Sequence, residues 1–266
     1  NTYALRRDST LWAWGGEGTS GQMGNGTTPR YQIDPVEVDL DRPVMAFSAG
    51  GGFGMAVLAD STVWTWGLNS AGGLGVTSIP SIHRTTTVTE TASGGMSASS
   101  SATTVQMFTA VPLRVTLPPA VAVAGGGSHA LALTADSTVW AWGTNGRGAL
   151  GQPETVRSVL EPIQIDGLRS VVAIGAGEGY SVALKADGSV WIWGAKGLSG
   201  GEPHRVHRVP GLSDIAQIEI GHRHAFAVNA SGDLWGWGLA DMGQVGAEAS
   251  EGENDWPPLP VTFRDR

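Results

Sequence analysis

Apolar and polar residues alternate along most of the chain in short runs, each stopped by a turn-forming pair. The cleanest stretch reads Val171-Val172-Ala173-Ile174-Gly175-Ala176-Gly177, then Tyr180-Ser181-Val182-Ala183-Leu184, Ala186-Asp187-Gly188 and Val190-Trp191-Ile192-Trp193-Gly194. Alternation with period two buries one face of a strand. Asp-Gly between two such runs accepts the positive φ of a tight hairpin turn. The equivalent turns elsewhere are Asp8-Ser9, Asp60-Ser61, Asp136-Ser137 and Ser231-Gly232. No unit shows the three-and-four apolar spacing of an amphipathic helix, which excludes a helical solenoid.

The alternating runs are organised by a repeat. W-x-W-G occurs five times, as Trp12-Ala13-Trp14-Gly15, Trp64-Thr65-Trp66-Gly67, Trp140-Ala141-Trp142-Gly143, Trp191-Ile192-Trp193-Gly194 and Trp235-Gly236-Trp237-Gly238. The period is roughly 50 residues, with about 25 more between the second and third copies. A glycine loop follows each copy, clearest in Gly143-Thr144-Asn145-Gly146-Arg147-Gly148-Ala149-Leu150-Gly151 and degraded between Gly194 and Gly201. An extended segment such as Pro35-Val36-Glu37-Val38 or Pro162-Ile163-Gln164-Ile165 closes each unit, and proline suits an outer edge strand.

Four strands per unit, repeated radially, predict an all-β fold: a β-propeller of five four-stranded blades, the first lacking its inner strand. The predicted units span residues 1–42, 43–118, 119–168, 169–211 and 212–266, in one domain. Because the W-x-W pair recurs in every unit, it is assigned to packing between blades.

The order of glycine-rich inner strand, hairpin, W-x-W-G and glycine loop resembles the regulator of chromosome condensation repeat family, in a bacterial-type form. The resemblance covers all five units, nearly the whole chain outside the insertion. It implies a propeller, commonly of seven blades, so a ring of that size needs about two blades more than the sequence holds. It also implies a protein partner, with guanine-nucleotide exchange on a small GTPase or inhibition of an enzyme as alternative activities. A shared propeller fold does not by itself choose among these.

The insertion, at about 77–110 in the second unit, is rich in Ser and Thr, with β-branched residues on both sides of Ser93-Gly94-Gly95. This pattern predicts a protruding hairpin rather than a linker. Thr87, Thr89 and Met96 are its candidate contacts.

Charge narrows the partner. Sixteen basic against 24 acidic residues give a net charge of -8, the opposite of a nucleic-acid footprint. No window approaches the roughly 18 apolar residues that span a membrane. Cysteine is absent, and regular cysteine-free units of low basic charge favour an extracellular or envelope location over a cytoplasmic or nuclear one.

Candidate chemistry is sparse. Gly221-His222-Arg223-His224 could place two imidazoles on one strand face, but His224 shares its repeat position with His129, Tyr180 and Gly54, which points to a structural role. Gly16 to Gly21 matches G-x-G-x-x-G without the helix a dinucleotide site needs. Gly197-Leu198-Ser199-Gly200-Gly201 matches G-x-S-x-G without a strand-to-helix elbow. No catalytic residue, metal or cofactor is therefore assigned. The expected function is a non-catalytic interaction module whose contacts are the unit-specific loop residues Glu17, Asn69, Asn145, Arg147, Lys196 and Asp241.

Overall fold

The computed structural model describes residues 1–16, 18–69, 72–79, 84–90, 100–195, 202–240, 242–246 and 255–262. Blade one has three strands, β1 (Thr2–Leu5), β2 (Leu11–Gly15) and β3 (Gln32–Glu37). Blade two contains β4 (Val44–Ala49), β5 (Phe53–Leu58) and β6 (Val63–Leu68); β7 (Arg84–Glu90) and β8 (Ser100–Gln106) then pair only with each other, and β9 (Phe108–Val115) completes the blade. Blade three is β10 (Ala120–Gly125), β11 (His129–Thr134), β12 (Val139–Thr144) and β13 (Ser158–Gln164). Blade four is β14 (Val171–Ala176), β15 (Tyr180–Lys185), β16 (Val190–Gly194) and β17 (His207–Arg208). Blade five is β18 (Ile215–Ile220), β19 (His224–Asn229), β20 (Leu234–Gly238) and β21 (Asp255–Pro260). Every sheet is an antiparallel meander, and the first blade lacks its inner strand, as the sequence predicts.

The two tryptophans of each W-x-W-G have different tasks. Asp8 Oδ1 accepts from the amide and hydroxyl of Thr10, and Thr10 Oγ1 accepts from Trp12 Nε1 at 2.9 Å. The same chain of bonds ties Asp60, Thr62 and Trp64; Asp136, Thr138 and Trp140; and Asp187, Ser189 and Trp191. It holds Ser9, Ser61 and Ser137 in the left-handed region, φ 63 to 64°, which serine seldom visits unaided. The hydroxyl hydrogen bond, above all, keeps the Asp8, Asp60, Asp136 and Asp187 carboxyls below the usual carboxylate range.

The second tryptophan joins blades. Trp66 Nε1 donates to Gln22 O, Trp142 Nε1 to Gly73 O and Trp193 Nε1 to Ala149 O, at 3.1, 3.0 and 2.7 Å. Each acceptor lies in the glycine loop of the preceding blade, and each of these indoles is 0% exposed. Apolar cores form at the same junctions; one joins Leu150 and Leu131 of blade three to Ala183 and Trp193 of blade four. The sequence assigned both tryptophans to inter-blade packing; the rings of Trp64, Trp191 and Trp235 do pack against the cores between blades, while the indole N–H of Trp12, Trp64, Trp140 and Trp191 belongs to its own hairpin turn.

Strand register also corrects one alignment. His129, Tyr180 and His224 pair with Gly143, Gly194 and Gly238, and the residue pairing with Gly67 is Phe53, not Gly54. Each ring covers a glycine at the end of the inner strand. A Cβ on Gly50, Gly126, Gly177 or Gly221 would lie 2.0 to 2.5 Å from the Phe53, His129, Tyr180 or His224 ring. No residue larger than glycine fits beneath these rings.

Candidate functional site

Two sets of loops meet on one face of the propeller: the glycine loops after W-x-W-G and the short turns between the first two strands of blades two to five. The turns are stitched across blades. Gly51 N donates to Gly126 O, Gly127 N to Gly177 O and Glu178 N to His222 O. Together they floor a depression of about 290 Å³ lined by Gly50, Gly126, Gly177, Gly221, Ile220 and His222.

Strand register makes Gly51, Gly127, Glu178 and His222 equivalent, so two blades carry a charged or titratable side chain where two carry none. Glu178 Oε2 lies 3.0 Å from His222 Nε2, with the imidazole 72% exposed. Arg147 is exposed on the neighbouring loop, and its aliphatic stem lies over Gly179, the residue after Glu178. Glu178 and His222 thus pair across blades four and five, with Arg147 on the adjoining loop of blade three.

Of the residues singled out from sequence, Arg147 adjoins this pair. Asn145 is corrected: it is 1% exposed and unable to reach a partner. Its Nδ2 donates to Gln152 O and Val156 O, and its Oδ1 accepts from Leu150 N, so the side chain closes its own loop. Asn69, half-buried, accepts from Leu74 N in the same way. Thr87 and Thr89 lie on β7, opposite Thr103 and Ser101. Glu17, Lys196, Asp241 and Met96 lie outside the described residues, as does the Gly197–Gly201 match. Sequence reasoning passed over Glu178 and His222 as contacts. The signal for them is a departure from glycine at an aligned repeat position.

His129 belongs to the core. It is 0% exposed, and burial pushes its imidazole down to about 4. Ser181 Oγ donates to Ala149 O, so its lone pair receives the His129 Nε2 proton, leaving Nδ1 buried without a partner. Among the described residues, no three His, Asp or Glu side chains stand close enough to hold a metal ion.

Comparison with known proteins agrees with this architecture. A regulator of chromosome condensation (RCC1) repeat model matches residues 8–57 and 136–184, and a second model of the same repeat matches 120–149 and 215–244. The Arabidopsis thaliana RCC1 domain-containing protein RUG3, mitochondrial, is 30% identical over 221 residues, covering 76% of this chain and 42% of its own length. The Homo sapiens regulator of chromosome condensation is 28% identical over 198 residues, 73% of this chain and 40% of its own. The chain therefore spans about two fifths of these relatives. Yeast RCC1 (Prp20), solved bound to Kap60, superposes with a TM-score of 0.73 at 22% identity, over 100% of this chain and 62% of that one.

These relatives overturn the expected extracellular or envelope location, since one is named mitochondrial and the other for chromosome condensation. The expectation leaned on missing cysteine and low basic charge. Neither separates compartments, because a chain without thiols is indifferent to redox poise.

Proposed function

The chain belongs to the regulator of chromosome condensation (RCC1) repeat family, and from that premise we propose that it is a non-catalytic module binding another protein through its glycine-loop face. One observation carries the reading: positions constant between blades are consumed by packing, while the blade-specific Arg147 and His222, both exposed, and the half-buried Glu178 gather on one face. Repeat scaffolds that bind partners divide their residues in this way. A protein partner also accords with the Kap60 complex of yeast RCC1. The net charge of -8 disfavours nucleic acid. Asn69 contributes by shaping its loop, and Thr87 and Thr89 on the β7–β8 hairpin are additional contacts.

The test is a partner recovered by cross-linking, with affinity then measured for two charge-reversed variants. Arg147→Glu with Glu178→Lys weakens binding at least tenfold, whereas Arg169→Glu, on the opposite face, leaves it unchanged. The reverse pattern sinks the reading. Accelerated nucleotide release from a small GTPase would instead make the chain an exchange factor.

A further inference from the structure

Gly52, Ser128, Gly179 and Arg223 hold one position in successive blades, because the carbonyl of each accepts from the amide of the residue after its own W-x-W-G: Leu68, Thr144, Ala195 and Leu239. In blade four the space over that position is filled from the preceding loop, where Cδ of Arg147 would lie 2.6 Å from a Cβ on Gly179. In blade five the position itself carries arginine. Two arginines thus bracket the Glu178–His222 pair, one on the glycine loop of blade three and one on the turn of blade five.

Among the described residues neither arginine side chain has a hydrogen bond or an ion pair, and Glu178 gives its carboxylate to His222 instead, at 3.0 Å. Arg147 is exposed. Arg223 is half-buried, and its Nε is shut off from water without a partner. A donor stripped of water and left unpaired is rare in native folds. It is all the less expected in a chain of net charge -8, where acids to pair with are plentiful. Toward the outer rim of this face Arg157 and Arg205 stand among Glu154 and Glu202, so the local excess of positive charge belongs to Arg147 and Arg223. The opposite face carries the carboxylates of the hairpin turns, among them Asp60, Asp136 and Asp187.

We infer that Arg147 and Arg223 form a carboxylate-binding site for an acidic segment of the partner protein, an inference that rests on the protein-binding reading above and names the partner's chemistry. A guanidinium fork pairs with a carboxylate through two parallel N–H···O bonds, most strongly where water is already excluded. At Arg223 part of the desolvation that opposes a buried ion pair has taken place in the free protein. The turn aspartates repel the same segment, so the field of the molecule directs it to the glycine-loop face. Arginines on two different blades call for at least two acidic residues in the segment.

The test uses the full chain and fluorescein-labelled hexaglutamate, with binding followed by anisotropy. Unlabelled hexaglutamate displaces the probe, hexaserine does not, and added salt weakens binding. Arg147→Gln and Arg223→Gln each weaken it about tenfold or more, whereas Arg169→Gln, on the opposite face, leaves it unchanged. Arg223→Lys keeps the charge without the fork and recovers only part of the loss. Should Arg223→Gln fail to fold, the exposed Arg147 still decides. Hexaglutamate that does not bind, or that binds the Arg147→Gln variant as tightly as the parent, overturns the inference. A lower thermal midpoint in Arg223→Gln with unchanged hexaglutamate affinity assigns Arg223 to the fold and overturns it too, as does an oligothymidylate of equal charge bound as tightly as hexaglutamate. A cross-linked partner lost with Glu178→Lys, yet kept when both arginines are changed to Gln, overturns this inference alone and leaves the protein-binding reading in place.

Discussion

His129 makes the stability of the protein depend on pH in a calculable window. The unfolded imidazole binds a proton below about pH 6.5, whereas the buried one resists protonation down to about 4. Burial is the main cause, and the missing partner at Nδ1 leaves a second proton nothing to bond. Because the unfolded chain binds more protons across this interval, the contribution is whole above pH 6.5 and drains away as pH falls toward 4. At roughly 1.4 kcal/mol per pH unit, the loss reaches about 3 kcal/mol. Phe53 fills the same repeat position, so His129→Phe preserves the ring over Gly126 and removes the titration. It also deletes the bond to Ser181, a uniform cost of about 1 kcal/mol. Urea denaturation of both proteins at pH 7.5 and 4.5 separates the two effects. Wild type should lose about 2 to 3 kcal/mol more than the variant between those pH values. The lowered aspartates of the hairpin turns also weaken the fold in acid, but they are common to both proteins and cancel. Parallel losses would refute the buried neutral imidazole.

Three comparisons probe the packing. Trp193→Phe loses a 2.7 Å bond to Ala149 O, whereas Trp237 Nε1 is buried with no partner among the described residues, so chemical denaturation should find Trp193→Phe costlier than Trp237→Phe by about 1 to 2 kcal/mol. Asn145→Leu strands Leu150 N and the Val156 and Gln152 carbonyls, and should cost about 3 kcal/mol or more by the same measurement. Gly51→Ala drives a Cβ to 2.3 Å from Gly127 O and should lower the thermal midpoint by several degrees. Gly127→Ala meets Glu178 at an ordinary 3.5 Å and should change it little.

The blades were legible because strand alternation and the Asp-Ser or Asp-Gly turns are local signals, set by residues a few positions apart. The hairpin arms β7 and β8 were legible for the same reason, although residues 91–99 between them lie outside the described structure. The division of labour within W-x-W-G was not. Trp12 binds Thr10 two residues away, but Trp66 binds Gln22 through a junction that exists only once blades stack. Asn145 was misread although a clue lay in the loops, since Asn69 occupies the same place and residues constant between repeats are usually spent on structure. Glu178 escaped notice and His222 was weighed only as a metal ligand, because their meaning as contacts lies in not being glycine, which shows only when strand register aligns them with Gly51 and Gly127.

That alignment also explains why the polar pair sits over the later blades. In blade two a side chain at Gly51 would strike the backbone of the following blade, so the position is closed to variation. In blade three a Cβ at Gly127 would meet Glu178 at an ordinary 3.5 Å, so the position is open. In blade four the Glu178 side chain reaches forward to His222 in blade five, whose ring is largely exposed. Variation is confined to where the next blade leaves room, and a surface able to diversify without unfolding the ring is the one that can acquire a partner. The steric asymmetry between Gly51 and Glu178 thus supports the recognition proposed above for the glycine-loop face at blades three to five.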